Sequence, residues 1–106
     1  MKYLVVEMSD KTQWAIPAKL IAINRAQYYA QLETERGNGE YEDVFAKEVK
    51  YAMSDEHEIT DWAANNMNWK DVYSHAIQLT TSHSVDYYRD WINAPMSVKE
   101  LFREDN

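Results

Sequence analysis

Pro17 divides the chain into two kinds of polypeptide and constrains the fold more than any other residue. Before it, Gln13 to Ile16 reads as a short strand; after it, Ala18 to Leu32 is a run of good helix formers. A proline ends the strand, and it suits the first turn of a helix, where its missing N–H would be unpaired anyway. The pattern predicts a helix over 17–34. Upstream, residues 2–8 alternate Tyr3 and Val5 against Leu4 and Val6, the period of a strand buried on at least one side. Ser9, Asp10, Lys11 and Thr12 are turn formers, so strands 2–8 and 13–16 are expected to pair as an antiparallel hairpin.

Gly37, Asn38 and Gly39 read as a reversing loop. Beyond it, Tyr41, Val44, Phe45, Val49 and Ala52 recur at helical spacing, which predicts an amphipathic helix over 40–53. Ser54 and Asp55 can cap a further helix over 55–66 with Ile59, Trp62, Ala63 and Asn66 on its inner face, ended by the Asn-rich run at 65–68. Val72 to Thr81 carries β-type residues and predicts a strand near 74–80 that joins the hairpin. Residues 82–96 fit no single period. Ser97 followed by Glu100 has capping-box spacing, which predicts a short helix over 98–103.

These elements make one α+β domain over 1–106, a small antiparallel sheet packed against about three helices. Its expected core is Leu4, Val6, Ile16, Ile21, Tyr28, Val44, Phe45, Val49, Ile59, Trp62, Ile77 and Leu79. Eight Tyr and four Trp against two Phe favour half-buried rings with a polar tip, and leave open whether Trp14, Trp69 and Trp91 are buried or displayed. The same aromatic excess would suit a homodimer interface.

The chain has no cysteine, which excludes disulfides, thiolate nucleophiles and cysteine-based metal sites. No apolar run approaches a membrane span and the amino terminus lacks a signal-peptide core, so the expectation is a cytoplasmic protein without a membrane partner. The net charge is −7, and its distribution is uneven. Residues 33–61 hold ten acids against three bases, whereas the rest of the chain is balanced at eight of each. No basic cluster exists to bind nucleic-acid phosphates, so an acidic face points to a basic protein surface or to solubility alone.

Three segments, Trp14-Ala15-Ile16-Pro17, Asn24-Arg25-Ala26-Gln27-Tyr28-Tyr29-Ala30 and Asp61-Trp62-Ala63-Ala64-Asn65-Asn66-Met67-Asn68-Trp69-Lys70-Asp71-Val72, carry a likeness to a known group that covers about half of the chain. On them it resembles short uncharacterised proteins encoded by bacteria and their phages. The resemblance implies a small accessory protein and supplies no mechanism.

Five constellations carry chemistry. Arg25 with Tyr28 and Tyr29 shares one side of a helix and can bind an anion, or simply stack along the rings. His57 and Asp61, four residues apart, can share a divalent metal, although an acidic first turn also suits the helix dipole. His75, His83 and Asp86 are candidates for acid–base work on Ser74, Ser82 or Ser84, without any accompanying nucleophile elbow or phosphate loop. Trp62, Asn66 and Trp69 can hold a base, sugar or small ligand, or else anchor the core and satisfy a helix end. Glu40, Glu42, Asp43 and Glu48 can form an outward acidic helical face. The expected function is that of a small acidic accessory protein, a phage- or prophage-type modulator that binds another protein through this face, with no cofactor. The rivals are a small metal-dependent or acid–base enzyme and a ligand-binding module around Trp69.

Overall fold

The alternating amino-terminal residues form β1 (Lys2–Glu7), which pairs antiparallel with β2 (Gln13–Pro17), Leu4 opposite Ile16 and Val6 opposite Trp14. The computed structural model describes residues 1–79 and 87–102. The turn between the strands is held by Asp10, whose carboxylate accepts from the backbone N–H of Thr12 at 2.9 Å and from the Thr12 hydroxyl. Thr12 is fully buried, and these bonds satisfy it. Lys11 sits at φ +70° in the same turn, a left-handed conformation that a side chain opposes.

Pro17 closes β2 and precedes α1 (Ala18–Glu35), so the strand-to-helix switch falls where the sequence puts it. One side of α1 is buried through Ala18, Ile21, Ala22, Arg25, Ala26 and Ala30, and the small residues let neighbouring elements approach closely. The helix ends in a Schellman motif. The N–H of Asn38 donates to Glu33 O at 2.9 Å and that of Gly37 to Thr34 O at 3.1 Å. Gly37 takes φ +74°, the left-handed position this motif demands. A β-carbon on Gly39 would lie 3.2 Å from a Val44 methyl, which fixes how tightly the chain turns into α2 (Tyr41–Met53). α3 (Glu56–Asn66) starts at Asp55, whose side chain caps the N–H of His57 at 3.0 Å.

Asn68 and Asp71 form a reciprocal capping box on the short α4 (Trp69–Val72), followed by a tight helical turn over Tyr73–His75. β3 is limited to Ile77–Gln78 and pairs with β2, so of the strand expected over 74–80 the first two residues belong instead to that turn, and the last lies outside the described residues. Across the chain, α5 (Tyr87–Asp90) and another tight turn over Trp91–Asn93 lead to β4 (Met96–Glu100).

β4 overturns the helix expected over 98–103, whose last residue lies outside the described ones. It pairs antiparallel with β1, Val98 opposite Leu4 and Met96 opposite Val6, and completes a four-stranded sheet in the order β3-β2-β1-β4. The capping-box spacing is a local signal. It loses to the ladder that β1 offers on its second side and to the packing of Met96 and Val98 against the core.

The core lies between one face of this sheet and the helices: Leu4, Val6, Ile16, Ile21 and Ile59 are buried as expected. Val49 and Trp62 pack against it partly buried, while Val44, Phe45 and Leu79 are half-buried. Tyr28 and Ile77 are exposed, at 54% and 43%. Their places are taken by Met8, Met67, Trp69, Val72 and above all Trp91, the largest fully buried side chain, whose indole N–H donates to Met67 O at 3.0 Å. Trp69 is buried between Trp14, Tyr87 and Trp91, and Trp14 is half-buried beside it. Among the described residues no helix is long and apolar enough to cross a membrane.

Candidate functional site

Arg25 organises the helical face. It occupies a buried position on α1 between Ala22 and Ala26, and its guanidinium donates to Glu48 Oε1 of α2 at 2.8 Å and stands 3.5 Å from Glu58 Oε2 of α3. The guanidinium lies 4.5 Å from the centre of the Tyr29 ring and 5.1 Å from that of Tyr51. A buried charge persists only when paired and hydrogen-bonded, and here both conditions are met from three helices. Of the two readings of Arg25, the stacked one describes this geometry.

Beside Arg25 the surface opens into a cleft of about 400 Å³ between α1 and α3, walled by Tyr28, Tyr29 and Trp62 and edged by Glu58, Asp61 and Asn66. The rings are set at angles to one another, with centres 5.1 to 5.8 Å apart. Trp62 is fixed by its indole N–H, which donates to Asn24 Oδ1 at 2.8 Å. Glu58 accepts from the Tyr51 hydroxyl at 3.4 Å, and Asp61 accepts from the Asn65 amide at 2.9 Å. The Tyr51 phenol is raised above its ordinary range, first by the Glu58 carboxylate, then by burial and Asp55, with Arg25 opposing.

The expected acidic face is divided. Glu40, Glu42 and Asp43 are exposed at the turn end of the α1–α2 hairpin, and among the described residues none of them takes part in an ion pair or side-chain hydrogen bond. With Tyr41 they line a shallow hollow of about 470 Å³, and the Tyr41 ring stacks on Phe45 at 6.0 Å. Glu48 faces the other way, into Arg25.

The remaining candidates do not converge. His57 and Asp61 are exposed on α3, and no third carboxylate or imidazole is grouped with them to complete a metal site among the described residues. His75 is exposed in the turn before β3, whereas His83 and Asp86 lie outside the described residues. Trp69 belongs to the buried ring cluster, so the ring that joins Asn66 and Trp62 at the cleft is Tyr28 and not Trp69. A second cleft of about 290 Å³ at the β1–β2 turn sets Lys11 and Arg89 among Glu7 and Asp90, and there the Ser9 hydroxyl donates to Asp90 at 2.6 Å.

The burial of Arg25 had a signal in the sequence, its place in an apolar stripe with Ile21, Ala22 and Ala26. Its partners had none, because Glu48 and Glu58 lie on other helices and are linked to it by no local spacing. The chain matches no protein-family model, no curated protein and no solved structure.

Proposed function

We propose that the protein is a non-enzymatic accessory factor that binds a basic surface of another protein through the acidic turn end of the α1–α2 hairpin, in the manner of a phage- or prophage-type modulator. The observation that carries this reading is the uncommitted set Glu40, Glu42 and Asp43 around the stacked Tyr41 and Phe45. Carboxylates engaged in internal pairs, as Glu48 and Glu58 are, contribute to the fold; these three do not. Free like charges on a protruding turn steer an oppositely charged partner, and aromatic residues beside them supply the apolar contact that charge alone lacks. The enzyme reading has less support, since neither His57 nor His75 lines the clefts described above.

The test is capture from a lysate of the native host at low and high salt, with Glu40→Gln, Glu42→Gln and Asp43→Asn combined in one variant. The expected result is a basic protein retained by the wild type, released by salt and lost by the variant. Capture that survives the triple substitution would remove the acidic turn from the interface.

A further inference from the structure

The cleft between α1 and α3 is built for a cation. Its walls are three aromatic rings, whose faces carry the negative side of the ring quadrupole, with Glu58 and Asp61 at its edge, and the Arg25 guanidinium that also lines it is paired with Glu48 and Glu58. Arg25 sets one positive charge against Glu48 and Glu58, and Asp61, which takes part in no ion pair among the described residues, adds a further negative charge at the exposed rim. Tyr29 demonstrates the chemistry within the fold, because one of its faces holds the Arg25 guanidinium at 4.5 Å. Tyr28, 54% exposed, and the partly exposed Trp62 present further ring surface in the same cleft. An anion would meet Glu58 and Asp61. A neutral apolar group would strip water from both carboxylates without replacing it. The volume of about 400 Å³ lies in the range of sites for small ligands or single side chains.

We propose that this cleft receives a guanidinium, the head of an arginine side chain presented by the basic partner. The proposal rests on the partner reading above and adds a second contact to it. From Tyr28 a shallow groove continues along α1 past Gln31 and Leu32 to Glu35, toward the acidic turn. A basic segment lying in the groove reaches both places, with one arginine stacked over the rings beside Asp61 and later residues at Glu40, Glu42 and Asp43.

The test follows the indole N–H resonance of Trp62 by heteronuclear NMR in the whole chain. The probe is a nine-residue peptide with a single central arginine and lysines at both ends. Its controls are the same peptide with citrulline at the centre, which keeps the shape and loses the charge, and ethylguanidinium alone. The arginine peptide is expected to shift the Trp62 resonance saturably, the citrulline peptide to bind at least about tenfold more weakly, and Asp61→Asn to weaken the arginine peptide about threefold. Equal effects of the arginine and citrulline peptides would overturn the proposal, whatever the capture experiment returns. Ethylguanidinium binding as tightly as the peptide would overturn the assignment to a partner side chain in favour of a free small cation. The variant neutralised at 40, 42 and 43 separates the two readings. A Trp62 shift that persists in it supports the cleft independently, and a shift that disappears with the turn charges overturns the cleft as a site of its own.

Discussion

The guanidinium of Arg25 is stacked on two rings and paired with two carboxylates whose side chains are themselves only 24% and 27% exposed. Removing it leaves Glu48 and Glu58 close together and partly desolvated, which costs more than the pair itself contributes. Arg25→Ala should therefore destabilise the protein by about 3 kcal/mol in denaturant unfolding. Arg25→Lys should recover only part of that loss, because an ammonium cannot stack flat on Tyr29 while reaching two carboxylates. Full rescue by lysine would show that charge alone is at work. Tyr51 reports on the same cluster from the alkaline side. Its phenol is raised by the neighbouring Glu58 carboxylate, so the folded state favours the protonated form. That contribution is whole below the ordinary phenol value of about 10 and is lost as pH rises through the raised one. The difference between wild-type and Tyr51→Phe tyrosinate absorbance should titrate above a free phenol, and Glu58→Gln should draw it back; an unmoved midpoint in Glu58→Gln would assign the shift elsewhere. At this scale the sequence was legible where neighbours along the chain decide, as with Leu4, Val6 and Ile59. It was illegible at Trp91, whose burial depends on a backbone carbonyl of Met67 supplied from the far side of the core.

Elements were read well wherever a local signal and the tertiary demand agree. Pro17 fixes the backbone where the strand stops, and the Gly37 Schellman end and the Asp55 cap satisfy the backbone at helix ends; in all three places the packing asks for nothing different. β4 shows the opposite case, since Ser97 and Glu100 have the spacing of a helix start while β1 requires a partner along its second edge. The two possibilities give opposite signs for one substitution. In the exposed strand position that Ser97 occupies, Ser97→Val should be neutral or stabilise by up to about 0.5 kcal/mol, whereas loss of an N-cap would cost about 1 kcal/mol. Thermal unfolding of this single variant distinguishes them. Lys11 offers a similar check on the β1–β2 turn. Its φ of +70° opposes any side chain, so Lys11→Gly should gain roughly 0.5 to 1 kcal/mol, and a loss would mean that the lysine's contacts outweigh its strain.

Taken whole, the molecule measures 49 × 39 × 21 Å, and its stability should be as uneven as its shape. The sheet and the first half of α1 share one core, but among the described residues α2 reaches that core through Val49, Ala52 and Met53 at its far end. Residues 35–43 are all exposed, and the first half of α2 rests mainly on α1. Four carboxylates, Glu35, Glu40, Glu42 and Asp43, crowd this end with Arg36 as the nearby base and Lys47 one turn on. Weak burial and like-charge repulsion both lower the free energy of opening there. Amides over 40–46 should therefore exchange with solvent through local opening, well before those of β1 and of α1 near Ile21, which require global unfolding. Salt screens the repulsion, so moderate ionic strength should raise protection at the hairpin end and leave the β1 amides nearly unchanged. Uniform protection along α2, insensitive to salt, would show that the hairpin is an integral part of the core. The differential pattern would show an end held open by its own charge, and a basic partner would then be expected to order this end as it binds, through the same neutralisation that salt supplies only in part.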